Sequence, residues 1–465
     1  MNVRTMAISC VPKVIALCLW WAGSDAAAPV INEVQRLLAS DPASGDSFGV
    51  SVAVDGDMAI VGAWRDDANG HDSGAAYVFV RNGGVWSQQA KLTPNDGASG
   101  DTFGFAVAID RETAVIGAHQ ANDNAPHSGS AYVFTRINGT WTQEAKLRAS
   151  DAEPGDLFGG AVAINGDTAL IGTPGDDDNG SNSGSAYVFS RRHGAWTQEA
   201  KLVASDGGVI DFFGGSVAVS RNTAVIGSIG AGAGAAYVFT RVRGAWTQQA
   251  KLTASDTLLG DDLGCSVAID GDTAIVGLSR SPFFGLPGAA YVFTRNNGIW
   301  TQQAKLVGSD TQPDDYFGTS VAVRGRTALV AASQKFGNAY QSGAAYVFTR
   351  KGAVWSESAK LIASDGQPFD DLGDFGRSVD LSGRTIFAGA NLVDDTSRDQ
   401  GAAYVFVLPA DDDDHACHGA QRDNDPEHRA THCEHDRCSQ GLDLANATRF
   451  CRDSSTLPGD ASDHE

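Results

Sequence analysis

Phe48-Gly49-Val-Ser-Val-Ala-Val54, then Gly74-Ala-Ala-Tyr-Val-Phe79, then Trp86-Ser-Gln-Gln-Ala-Lys-Leu92 are the three phrases that decide the fold, because the chain repeats them in that order. The glycine of a Phe-Gly or Leu-Gly pair returns at Gly104, Gly159, Gly214, Gly264, Gly318 and Gly376, in steps of 55, 55, 55, 50, 54 and 58 residues. The tyrosine of Ala-Tyr-Val-Phe returns at Tyr132, Tyr187, Tyr237, Tyr291, Tyr346 and Tyr404, and the tryptophan phrase at Trp141, Trp196, Trp246, Trp300 and Trp355. Self-similarity at such a period marks a chain built from repeated supersecondary units.

Within a unit, Ser266-Val-Ala-Ile269 and Thr273-Ala-Ile-Val276 are short apolar β-formers on either side of Asp270-Gly271-Asp272, a tight-turn signal because glycine adopts positive φ without steric cost. Ala290-Tyr-Val-Phe-Thr294 reads as a third strand and Trp300 to Leu306 as a fourth, joined by a turn over Asn296 to Gly298. The first two strands are small and almost wholly apolar, which suits strands crowded near an axis and covered on both faces. The fourth alternates, which suits an outer strand with one face in water. Four antiparallel strands at this period predict an all-β chain, a seven-bladed β-propeller. The tryptophan phrase occurs six times for seven units, and the seventh unit stops at Ala403-Tyr-Val-Phe-Val407. Gln35-Arg-Leu-Leu-Ala-Ser-Asp41 matches Ala145-Lys-Leu-Arg-Ala-Ser-Asp151 in form, so the N-terminal segment is expected to supply the missing fourth strand and close the ring.

Phe48 to Val54, Ile60-Val-Gly-Ala63 and Gly74 to Phe79 together resemble the FG-GAP repeat of integrin α-subunit propellers and of many secreted bacterial proteins, over about residues 30 to 409. The resemblance implies a propeller that binds a protein or carbohydrate partner outside the cell, and it raises calcium as a cofactor. Family members that hold calcium carry an Asp-x-Asp-x-Asp-Gly type loop between the first two strands of a blade. The corresponding turns here, from Asp55-Gly56-Asp57 to Ser382-Gly383-Arg384, are too short to bring together six to eight oxygens, so no cofactor is expected in that position. Asp176 and Asp178, within Asp176-Asp-Asp-Asn-Gly180, are the alternative metal candidates, set against a solvated acidic loop.

Composition narrows the partners. With 56 acidic against 34 basic side chains and a formal charge of -22, the chain repels nucleic acid and anionic membrane surfaces. Arg4 and Lys13 ahead of the apolar run Val14 to Ala22, then small residues from Ser24 to Ala28, read as a signal peptide over residues 1–28. That run is too short to span a bilayer, and no other segment is a transmembrane candidate, so a secreted, extracellular or periplasmic protein is expected. Residues 29–409 form the propeller, and 410–465 a separate acidic tail rich in Cys and His. Cys417, Cys433, Cys438 and Cys451 are disulfide candidates with three possible pairings; zinc on Cys433, His435 and Cys438, or a tail without selected structure, are the alternatives.

Loops from strand two to three and from strand four to the next blade should emerge on one face, and both are long. The linkers carry two recurring acids, Asp41 and Asp46 in the first, which read as carboxylates accepting backbone N–H bonds in a repeated turn. The two-to-three loops vary. Asp66, Asp67, Asp394 and Asp395 place acid on one side of this face, while Phe283, Phe284, Phe336 and Tyr340 are the aromatic contact candidates on the other, unless they fold inward over the channel. No catalytic constellation emerges, and a binding or adhesion module is the first reading. A hydrolase or lyase using loop carboxylates with His71, His119 and His127, and a subunit of a surface assembly, are its rivals. Deleting Val34 to Ser40 is expected to abolish cooperative unfolding by opening the ring; an unchanged calorimetric melting profile would refute that closure.

Overall fold

The computed structural model describes residues 28–279, 287–334, 342–365, 378–394 and 397–410. Blade 1 shows how each unit is built: strands Phe48–Asp55, Met58–Ala63, Ala75–Asn82 and Val85–Leu92 pair antiparallel in sequence order. Six further sheets repeat this arrangement, so the expected all-β propeller of seven four-stranded blades is the fold. The second strand is buried throughout, because neighbouring blades cover both its faces; Val85–Leu92 alternates exposed and covered residues, as an outermost strand should.

Blades are joined by backbone as much as by side chains. Gly74 bridges Phe103 of the next blade, and the same bridge recurs at Gly129–Phe158, Gly184–Phe213, Gly234–Leu263, Gly288–Phe317 and, at the seam, Gly401–Phe48. A Cβ on Gly74 would lie 1.9 Å from the Phe103 carbonyl, and one on Gly104 would lie 2.2 Å from the Ala75 carbonyl. Only glycine permits that approach, and Gly104 also sits at φ +90°, where L side chains are strained. The approach drives Phe103 into full burial, edge-on to Tyr132 and Phe134 at 5.5 and 6.0 Å. Such a buried phenylalanine is worth about 2–3 kcal/mol.

Closure follows the expectation with one addition. Gln35–Leu37 pairs antiparallel with Ala402–Val407 and completes blade 7. The residues just before it depart: Val30–Asn32 runs parallel to the outer strand of blade 6, Ile31 opposite Leu361, and makes that sheet five-stranded. The N-terminal segment therefore ties two blades together, where one was expected.

The seam between blades 7 and 1 is also bonded along the axis. The innermost strands sit at the edge of their sheets and leave backbone N–H groups without a strand partner. At this seam Ser378 Oγ, Asp380 Oδ2 and Ser382 Oγ accept from Val52, Val54 and Gly56 N–H at 3.0, 2.8 and 3.0 Å. Six sister blades carry alanine where blade 7 carries Asp380: Ala53, Ala108, Ala163, Ala218, Ala268 and Ala322. Asp380 borders the central channel, a space of about 560 Å³ lined by all seven innermost strands. Its depth deprives the carboxylate of bulk water and pushes its pKa up to about 6, despite N–H bonds from Val54 and Leu381.

A folded-state pKa above the unfolded 3.8 favours folding fully below about pH 3.8, and the benefit is lost as pH rises through about 6. Asp380→Ala restores the sister-blade residue, so it should fold. The gap in unfolding free energy between wild type and variant is expected to shift by about 1.4 kcal/mol against the wild type between pH 5 and pH 8. Urea unfolding at the two pH values measures this, and a pH-independent gap would contradict it.

Candidate functional site

The third strand carries a tyrosine whose hydroxyl reaches the loop face, and the fourth carries a cation beside it. In blade 1 the Tyr77 hydroxyl lies 2.9 Å from the carboxylate of Asp41 in the incoming linker and 2.6 Å from that of Asp66 in the two-to-three loop, so its one proton is shared between the two. Lys91 Nζ stands 5.3 Å from the Tyr77 ring centre and pairs with Asp41 and Asp66 at 2.7 and 2.8 Å. Both loop types thus meet at one end of the blade, as the strand order requires. Blade 3 repeats the set with Tyr187, Asp151, Asp176 and Lys201, and blade 2 repeats the ion pairs of Lys146 with Asp96 and Asp123. Blades 4, 5 and 6 keep the linker pair, Lys251–Asp206, Lys305–Asp256 and Lys360–Asp310. Blade 7 uses Arg36 from the N-terminal segment against Asp365 at 3.1 Å.

These contacts divide the two recurring acids that the sequence suggested would act alike. Asp46, Asp101, Asp156, Asp211, Asp261 and Asp315 each accept a backbone N–H from three residues earlier, the expected turn-forming use. Asp41 and its counterparts instead bridge blades through Tyr and Lys. Burial works to raise the Asp41 pKa, but bonds from Lys91 and Tyr77 outweigh it and hold the group below its ordinary value. Asp46 has no such cation bonded to it, and burial pushes it up to about 6.

The candidate residues are redistributed accordingly. Asp66, expected on the loop surface, is buried and spent on Tyr77 and Lys91. Asp67 and Asp394 are exposed, and each accepts the N–H of the residue five further on, Asp72 and Asp399. Asp176, a metal candidate, is buried on Ser185, Tyr187 and Lys201, while exposed Asp178 pairs with the same Lys201 at 2.5 Å. In the hairpin turn of blade 1, Asp57 pairs with Arg81 at 2.6 Å, and Asp55 accepts from Arg111 N–H and from Arg324. Among the described residues, Asp67, His71 and Asp72 are the group whose ligand atoms come within 4.8 Å of one another. Phe283, Phe284, Phe336, Tyr340, Asp395 and the four tail cysteines lie outside the described residues.

One cluster escaped the sequence reading. Trp64 follows the second strand of blade 1, and Phe105 precedes the first strand of blade 2, so both stand at the loop-face end of the inner strands. Their rings meet edge-on at 6.2 Å, and Phe105 lies 4.0 Å from the ring of His119. His119, one of the three loop histidines set beside the loop carboxylates, is buried, and burial, with His127 nearby, lowers its pKa to about 4. Thr102 Oγ1 donates to the Asp101 carbonyl at 2.6 Å, so its oxygen accepts from His119 Nδ1 at 3.0 Å. The imidazole is therefore neutral near pH 7, with Nε2 as an acceptor. The signal that would have found this cluster is departure from the repeat: the Trp64 position holds His119 in blade 2, and Pro174, Ile229, Ser279, Ser333 and Asn391 in the rest.

The ionic frame can be tested by its unequal sharing. Lys201→Met keeps the aliphatic stem but strands buried Asp176 as well as Asp151, and is expected to cost on the order of 3 kcal/mol. Lys251→Met, which strands only the half-exposed Asp206, should cost about 1 kcal/mol or less in the same denaturation experiment. Equal losses would contradict the distinction.

Comparison with known proteins agrees with this architecture. A chain of the solved structure titled "Crystal Structure of Mitotic Checkpoint Complex" superposes with a TM-score of 0.52 at 10% identity, covering 88% of this chain and 100% of that one, which is a likeness of fold alone. No curated protein matches this chain in sequence. The model of the FG-GAP repeat matches residues 31–79, 86–134, 141–189, 196–239, 246–293, 300–348 and 355–406, six of the windows beginning at the tryptophan of that phrase and the first at Ile31, and each runs through the tyrosine phrase of the following blade. On that match the chain belongs to the FG-GAP repeat family.

Proposed function

We propose that this protein is a secreted or cell-surface binding module that engages an extracellular protein or carbohydrate through its loop face. The observation that carries the reading is the contrast between frame and variation. Every blade spends a cation and a linker carboxylate on holding the loops, joined in blades 1, 3, 5 and 6 by the tyrosine hydroxyl, while residues that break the repeat, Trp64, Phe105 and His119 among them, gather at the loop-face end. A rigid scaffold presenting varied loops is how binding specificity is commonly written. Phe283 and Phe284 are proposed to add an apolar anchor on this face.

Saturable binding without turnover is expected when the full chain is presented to glycan and protein arrays; turnover with stoichiometric bound metal would sink the reading. Phe283→Ser with Phe284→Ser is expected to weaken retention of the array ligand while leaving the melting temperature unchanged, and a large loss of stability would show that the two rings pack inward instead.

A further inference from the structure

We infer that Trp64, Phe105 and His119 form a subsite for one neutral sugar ring of a glycan. The inference rests on the loop-face reading above and narrows it to a place and a ligand class. Trp64 and Phe105 are each half-buried, so each keeps part of an aromatic surface open at the loop-face end of the inner strands. The corresponding pairs at the other described junctions, each residue taken with its counterpart on the following blade, are His119 with Gly160, Pro174 with Gly215, Ile229 with Cys265, Ser279 with Thr319 and Asn391 with Val50, and none joins two aromatic rings. The site is therefore a single departure from the repeat, rather than one of a ring of equivalents.

Charge selects among ligands. The Arg65 guanidinium stands 4.3 Å from the Trp64 ring centre, so one face of that ring already carries the chain's own cation, which disfavours a second cation on the ring and leaves its other face and the Phe105 ring to an uncharged ligand. A protein of formal charge -22 offers little to an anion, and exposed Asp67 lies two residues from Arg65. A neutral ligand remains, with weakly polarised C–H groups that pack on the electron-rich face of an aromatic ring and hydroxyls that bond at its edge. His119 supplies the edge. Its Nε2 is an acceptor whose contact with the Gln120 side-chain nitrogen is long, 3.4 Å, so a ligand hydroxyl can compete for it, and the Gln120 amide can bond another. Sugar rings join these two requirements in one small molecule.

The test uses the full chain with methyl glycosides of glucose, galactose and N-acetylglucosamine, read by saturation-transfer NMR and by tryptophan fluorescence. At least one glycoside is expected to bind saturably, with affinity constant from pH 7 to pH 5 and falling below about pH 4, where protonation turns the His119 Nε2 acceptor into a donor. Trp64→Ser and Phe105→Thr each install the residue a sister blade carries, Ser333 and Thr319, so both variants should fold. Each is expected to lower affinity at least tenfold at an unchanged melting temperature, about 1.4 kcal/mol per factor of ten.

Absence of binding by any of the three glycosides, or binding that survives Trp64→Ser, overturns the inference. Binding of a protein or peptide ligand on the arrays, undiminished in Trp64→Ser, would overturn the sugar subsite and leave the loop-face reading standing. Failure of every ligand class to bind the wild type would remove both.

Discussion

Each blade depends on a contact in which two backbones come closer than any side chain allows. Where Gly74 meets Phe103, a single methyl group would overlap the neighbouring carbonyl, and the same geometry recurs around the ring. Everything inward and outward follows from that spacing. It sets the angle between successive sheets, buries the phenylalanine and tyrosine rings between them, and brings the linker carboxylate of one blade within reach of the lysine on the next. The 55 glycines of the chain are largely this contact and its turns written many times, so their abundance reports close packing rather than mobility.

A ring of repeated units has one junction that chain continuity does not enforce, and several residues that bond near it depart from the repeat. Asp380 replaces an alanine, Arg36 replaces a lysine, and Glu33, at the place of Gln88 and Gln143, accepts the Ser364 N–H from across the chain. Arg324 occupies a position where Asp55, Asp110, Asn165, Ser220, Asp270 and Ser382 each accept a backbone N–H of the next blade. An arginine has no acceptor to give, and its guanidinium reaches Asp55 of blade 1 at 3.3 Å instead. Side-chain bonds thus reinforce the seam where covalent connection is missing.

The architecture was legible because period, turn and alternation are local properties repeated seven times, and repetition averages away their individual ambiguity. The fate of single acids was less legible. Asp66 and Asp67 are neighbours in sequence, yet one is buried against a lysine 25 residues later and the other faces water. Nothing in a dipeptide of identical residues distinguishes them; the choice is made by where Tyr77 and Lys91 arrive. The parallel strand at Val30–Asn32 was hidden for a related reason, since its partner on blade 6 lies more than 300 residues away and shares no pattern with it. His119 follows the second strand of blade 2, and no local pattern signals that Phe105, just before the first strand of the same blade, packs on its ring.

The closing strand also has a mechanical side. Gln35 lies opposite Val405 in an antiparallel ladder of three pairs, so the chain enters and leaves the propeller at the same end of that ladder. Tension between the two would open its bonds one after another, as a zipper does, rather than loading them together. The short strand at Val30–Asn32 lies upstream on a different blade and takes the first share of any pull from the N-terminal side. A parallel addition that looks redundant for pairing therefore places a separate anchor between an outside force and the ladder that closes the ring.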